Sequence, residues 1–264
     1  MAEIILETLD AGVLTLSMNR PERRNAMNPA LCDALPEAIG RAAENPAARA
    51  VLLTGAGGTF CVGGDVGGMG DGRSEARPSL EESTRQLRGW VEAARLLHEM
   101  PKPTIAAVEG AAAGAGLSLA LACDFRVVTR GAKLTTAFAR VGLSGDYGGS
   151  WFLTRLLGPA RARDLYLLPR VILGEEADRL GLVSRLVDDG GADAAGLALA
   201  QELAAGPPLT LAAMKANLNL ALTAPLAELL DAESERHSAT AHTADHKEAV
   251  AAFMGKRPAT FAGR

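Results

Sequence analysis

Gly110-Ala111-Ala112-Ala113-Gly114-Ala115-Gly116 is the stretch that decides the fold. It follows Thr104-Ile105-Ala106-Ala107-Val108, an apolar run of strand length, and Gly110–Cys123 as a whole reads as a small, apolar helix packed closely on a sheet. A glycine loop between strand and helix presents backbone N–H groups where the helix dipole favours an anion. One occupant of such a place is the pyrophosphate of a dinucleotide, and GxxxGxG is also a dehydrogenase spacing. That reading asks for an acid about 20 residues further on, to hold the ribose. Residues 125–145 contain neither Asp nor Glu, and neither Tyr147 nor Tyr166 has a lysine four residues later. The other occupant is a thioester carbonyl oxygen, which gains charge when its α-carbon is deprotonated or a nucleophile adds. A second glycine loop, Phe60-Cys61-Val62-Gly63-Gly64-Asp65, is placed to supply the second donor, since glycine lets a backbone approach a ligand closely.

Outward from these loops the chain interleaves strands and helices. Glu3–Leu9 and Val13–Asn19 alternate apolar and polar residues around Asp10-Ala11-Gly12, a β-hairpin pattern. Asn28-Pro29 supplies an N-cap and a first-turn proline for a helix to about Glu44, which Pro36 is expected to kink or restart. Ala50–Thr54 and Phe125–Thr129 read as buried strands. Gly67–Ser79 is a polar, glycine-rich loop, and Ser79–Met100 a long amphipathic helix; together they are expected to shape a pocket. From Gly148 the pattern is helical, ending in a long helix over Leu226–Met254. The order implies an α/β fold with a helical C-terminal third, divided as a core over 1–200 and a helical region over 201–264.

Composition closes off other classes. The chain has 264 residues, enough for a full core without staples. A net charge of −4 and only ten aromatic residues argue against a nucleic-acid binder. The longest uncharged run, Ala50–Gly64, is too short and glycine-rich to span a bilayer, which takes about 20 residues. The acidic start MAEIILETLD is unlike a secretory signal, so the expectation is a cytoplasmic protein. Cys32, Cys61 and Cys123 lack CxxC spacing and read as small buried apolar residues. His242 and His246 are four apart, but Thr243 breaks the zinc-protease pattern, so no metal is expected; His98 reads as a helix surface residue.

Five stretches together resemble the enoyl-CoA hydratase/isomerase (crotonase) family: Asn19–Asn28 (NRPERRNAMN), the Phe60–Asp65 loop, Lys102–Gly110 (KPTIAAVEG), Ala122–Arg126 (ACDFR) and Phe253–Pro258 (FMGKRP). The resemblance implies a ββα spiral with a helical C-terminal trimerisation region, and acyl-CoA substrates. It implies homotrimers or homohexamers, and no cofactor, coenzyme A being part of the substrate. By position it implies that the N–H groups of Gly64 and Ala115 form the oxyanion hole. It implies that Arg24, Ala26, Val62 and Asp65 lie near coenzyme A, with Phe253 and Lys256 reaching it from a neighbouring subunit.

Two glutamates serve hydration in that family, and this sequence departs from both. Ser118 stands at the first position and Phe138 at the second, lining the substrate site. Serine does not exchange protons near neutral pH and phenylalanine has none to move. Asp146 is the acid that remains, in Val141–Gly149 (VGLSGDYGG). A lone carboxylate suits double-bond isomerisation, which takes a proton from one carbon and returns it to another. Burial beside Phe138, Leu143 and Trp151 is expected to raise its pKa. A second role for Asp146 is the N-cap of a helix from Gly148. Two other activities stay open: a 2-enoyl-CoA hydratase whose water is held by Asp146 and Ser118, and a non-catalytic acyl-CoA binder.

Overall fold

The computed structural model describes residues 3–65 and 78–264, so most of the Gly67–Ser79 loop lies outside the described residues. The hairpin forms from β1 (Ile5–Asp10) and β2 (Val13–Met18), with Ile5 opposite Met18. Ala11 and Gly12 turn it, both at positive φ, the geometry that matches the twist of the flanking strands. The other strands among the described residues are β3 (Ala50–Gly55), β4 (Thr104–Val108), β5 (Ala111–Ala113), β6 (Phe125–Thr129), β7 (Lys133–Thr135), β8 (Ile172–Leu173) and β9 (Arg185–Val187). One sheet runs β1-β2-β3-β4-β6-β9, parallel from β2 onward. A small second sheet runs β5-β7-β8.

Parallel strands buried on both faces need continuous apolar runs, and β3 and β4 have them. The pleat sends Val51, Leu53, Ala106 and Val108 to one core, and Ala50, Leu52, Ile105 and Ala107 to the other. Helix α1 (Pro29–Glu44) packs on the first face through Leu31, Leu35 and Ile39. On the same side follow α2 (Leu80–Trp90), α3 (Glu92–Glu99), α4 (Ala115–Ala122) and α5 (Gly149–Leu167), the last kinked at Gly158. After α6 (Gly174–Leu180), α7 (Ala192–Ala204) covers the second face, and Gly196 lets it close on Leu52 and Ala107. The helices α8 (Pro208–Leu220), α9 (Leu226–Ala241) and α10 (Ala244–Met254) complete the chain. Helix α7 runs across residue 200 and packs on the sheet, and only helices follow β9. No described helix is long and apolar enough to cross a membrane.

Several sequence expectations are corrected. Pro36 does not interrupt α1, which is capped by Asn28 and held by six buried side chains, including Leu35 and Ile39 on either side of the proline. Ser79–Met100 is two helices meeting at Val91; Ser79 and Glu82 close a capping box at the first. Gly110–Cys123 begins with β5, not helix, because Ala111 and Ala113 pair with Cys61. Leu226–Met254 breaks at His242, and Thr243 caps the new helix by accepting from His246 N–H. The two histidines therefore belong to different helical segments. No group of three or more metal-ligating side chains occurs among the described residues. His98 is half-buried rather than on the surface, edge-on to Trp151 at 5.1 Å and Phe152 at 5.4 Å. Burial lowers its pKa.

Candidate active site

The two glycine loops are laced together. Cys61 N–H donates to Ala111 O and Ala113 N–H donates to Cys61 O, both at 3.0 Å. Gly63 lies so close that a Cβ there would stand 2.7 Å from Ala113 O. Gly114 takes φ +51° and ψ −125° at the start of α4, a conformation open to glycine. These constraints place Gly64 and Ala115 on the wall of one cavity of about 440 Å³. Among the described residues, neither their N–H groups nor any side chain of the loops closes the pair by hydrogen bonding: no acceptor takes the Gly64 or the Ala115 N–H. Ala115 is the first residue of α4, so its N–H also stands at the positive end of the helix dipole.

Asp146 lines the same cavity, and so does Phe138. The carboxyl is largely buried, and burial raises its pKa to about 6. Its Oδ1 is buried without a hydrogen-bond partner. The capping role is not found: the N-cap of α5 is Gly148, and Asp146 contributes only its main-chain carbonyl, to Gly149 N–H at 3.1 Å. Among the described residues Asp146 is the one carboxylate on this cavity wall. Phe138 stacks on Tyr166 with ring centroids 5.9 Å apart, so the second glutamate position is filled by an aromatic pair.

Ser118 does not line the cavity. It is buried on α4, its hydroxyl donating to Gly114 O at 3.3 Å and packed against Gly149. Helix α4 is buried all round, so sequence periodicity could not show which face meets the cavity. Trp151 also stands elsewhere, beside His98 and under Arg155; the tryptophan on the cavity wall is Trp90 of α2. Leu143 is on the wall but more than half exposed, and the helix after the undescribed loop does shape the cavity, through Ser83, Gln86, Leu87 and Trp90.

Arg24, Ala26, Val62 and Asp65 gather next to the cavity without lining it. Val62 N–H donates to Arg24 O, and Asp65 N–H to Met27 O. Sequence reasoning missed the residue that organises them, Arg20, which reaches Ala26 O and holds Asp65 Oδ2 at 3.0 Å. Buried Asn25 adds to this by donating to Ala56 O and Thr59 O. Phe253, 82% exposed, and Lys256 stand at the end of α10 and are not brought to this cavity within one chain. Cys32 and Tyr147 were also missed; both are buried and line the cavity. Burial pushes the Cys32 thiol up to about 11, and all three cysteines are buried and free.

Known proteins share this architecture. A sequence model of the enoyl-CoA hydratase/isomerase family matches residues 8–264. The chain is 38% identical to 1,2-epoxyphenylacetyl-CoA isomerase of Escherichia coli (strain K12), over 100% of both chains. It is 39% identical to a probable enoyl-CoA hydratase of Rhodobacter capsulatus, covering 97% of this chain and 96% of that one. The crystal structure of an enoyl-CoA hydratase from Polaromonas sp. JS666 superposes with a TM-score of 0.91 at 38% identity, covering 98% of this chain and 99% of that one. With its crotonase fold and a family match reaching from β1 to the last residue, this chain belongs to the enoyl-CoA hydratase/isomerase family, enzymes that act on acyl-CoA thioesters.

Proposed function

We propose that this enzyme moves a double bond within an acyl-CoA thioester, with Asp146 as the acid–base group. The observation that supports this is the single cavity shared by Asp146, Gly64 and Ala115, where Asp146 is the one carboxylate among the described residues. The thioester oxygen accepts from the Gly64 and Ala115 N–H groups. Asp146 takes a proton from one carbon, the dienolate charge rests on the oxygen, and Asp146 returns the proton to another carbon. Protons alone move, so the reaction needs no cofactor beyond the coenzyme A of the substrate. A carboxyl whose pKa is raised to about 6 is mostly ionised near neutral pH, ready to accept a proton, and is a stronger base than an ordinary carboxylate, so it can take the proton and release it in turn. The Escherichia coli relative is named as an isomerase of an epoxide thioester, which shares with this reading a rearrangement without change of mass.

Hydration is the alternative that the name of the Rhodobacter relative favours. It asks for a second group to position water, and Ser118 lies off the cavity wall. A non-catalytic binder leaves the raised pKa of Asp146 without use. We further propose that the protein works in the cytoplasm as a trimer or hexamer, in which Phe253 and Lys256 of one subunit reach coenzyme A on the next. The experiment is a panel of enoyl-, dienoyl- and aryl-CoA thioesters followed by absorbance and mass in D2O. Isomerisation leaves the mass unchanged in H2O and introduces deuterium in D2O. A product heavier by one water as the main outcome overturns the assignment in favour of hydration.

A further inference from the structure

Tyr147, next to Asp146, sits in a place that suits it poorly. Its φ is +48°, in the left-handed region that a bulky aromatic residue seldom enters. Its side chain is buried, 2% exposed, and its hydroxyl finds no nitrogen or oxygen partner, only the neighbouring Cys32 thiol, which is a weak one. A buried hydroxyl so poorly satisfied is unfavourable. Phenylalanine would remove that penalty and glycine would remove the backbone strain. The core alone therefore does not explain a tyrosine here.

Tyr147 also belongs to two cavities. The first is the 440 Å³ cavity of Asp146 and the oxyanion loops. The second, of about 330 Å³, lies between α3 and α5 and is lined in part by Val91, Ala94, His98, Trp151 and Phe152. Among the described residues Tyr147 is the one that the two linings share. The cavities flank the same helical stretch, since Leu87 and Trp90 line the first while their neighbours Arg88 and Val91 line the second.

We propose that the ring of Tyr147 is the partition that closes the acyl cavity, so that the enzyme selects compact acyl groups and excludes long chains. This rests on the reading of the first cavity as the acyl site. Removal of the ring joins the two cavities and admits a longer chain. The determinant is the bulk of the ring, because the hydroxyl has no nitrogen or oxygen partner to hold.

The test measures binding of saturated butanoyl-, hexanoyl-, octanoyl- and decanoyl-CoA by calorimetry. Saturated chains have no double bond to move, so the acid–base role of Asp146 does not enter. Each methylene that becomes buried raises affinity about fourfold. Wild type and Tyr147→Phe are expected to stop gaining affinity at the same chain length. Tyr147→Ala is expected to go on gaining, and to bind decanoyl-CoA at least about tenfold more tightly than wild type does. Tyr147→Gly, which suits the positive φ, makes the same cut if the alanine variant does not fold. A wild-type profile in a folded truncation variant overturns the proposal. So does an altered profile in Tyr147→Phe, which would assign the role to the hydroxyl. Affinity independent of chain length in every variant overturns the acyl-site reading and this proposal together, whereas inactivity of wild type on unsaturated thioesters with these profiles intact overturns only the proposed reaction.

Discussion

A Cβ on Gly116 would stand 2.4 Å from the carbonyl oxygen of Cys61. The second residue of α4 thus rests directly on the backbone of the other glycine loop. Cys61 O also accepts from Ala113 N–H, so this one carbonyl fixes both the loop before α4 and the start of the helix. That contact ties the loop of Gly64 to the helix start of Ala115. The two N–H groups proposed to hold one oxygen would have to be kept at fixed spacing before substrate arrives, because reorganising them during reaction would forfeit their electrostatic advantage.

Gly116→Ala is expected to push α4 off the Cys61 loop. Overpacking of this kind costs about 1–3 kcal/mol. The variant should unfold at lower urea concentration, and turnover should fall further than the loss of folded protein accounts for. Turnover per folded molecule equal to wild type would show that the spacing of the loops does not govern the reaction.

Ala115→Pro deletes one of the two proposed donors at a first-turn position where proline is tolerated. Loss of one oxyanion donor costs about 3–4 kcal/mol of transition-state stabilisation, so turnover should fall at least roughly a hundredfold. Steady-state kinetics on a variant with native circular dichroism decides it. Retained turnover would remove the Ala115 N–H from the mechanism.

Much of the fold and part of the site is legible in the residues themselves. The hairpin is written in the alternation of Leu14–Met18 and the Asp10-Ala11-Gly12 turn, and the close approach of the two glycine loops in Gly63 and Gly116, where a Cβ would clash with the other loop's backbone. Asp146 could be picked out as the acid left in its segment. What the residues do not show is orientation. Trp151 is five residues from Asp146, yet the first turn of α5 directs it toward His98. Ser118 stands where the family motif leads one to look, but on a helix buried on every side, so no polar stripe betrays its direction. The break at Val91 has no glycine or proline at that position to announce it. Tyr147 looks like any residue in a turn until its burial and φ are known.

The C-terminal helices expose more apolar surface than a single chain has use for. Met214, Leu218, Leu226, Leu230, Phe253 and Met254 are each more than half exposed on α8, α9 and α10. Exposed apolar surface beyond single scattered residues marks interaction surfaces. We expect a trimer or hexamer by light scattering at micromolar concentration, and Leu218→Glu together with Leu230→Glu to weaken it. A wild-type protein that is monomeric under these conditions refutes the proposed assembly, and with it the reach of Phe253 and Lys256 toward a neighbour's coenzyme A.

Asp146→Asn tests the reaction and the electrostatics in one variant. General acid–base groups contribute roughly 10²–10⁴-fold, and a sole base belongs at the upper end, so isomerisation should be nearly abolished while acyl-CoA binding persists. In wild type the working form is the carboxylate, whose pKa is raised from 3.8 to about 6 by burial. Isomerisation should therefore fall about tenfold per pH unit as pH drops below that value. Stability should move the opposite way. A carboxyl whose pKa is raised on folding favours the folded state while it is protonated, and that contribution is lost as pH rises through about 6. Above that pH wild type bears the burial of a charge that asparagine does not carry. The shift of about two pH units corresponds to at most about 3 kcal/mol. Thermal melts should show Asp146→Asn above wild type at pH 8, the gap narrowing between pH 6 and 4. A variant no more stable than wild type at pH 8 would mean that water or a partner group solvates the carboxylate. Full activity in the variant would leave the reaction without a base on this cavity wall.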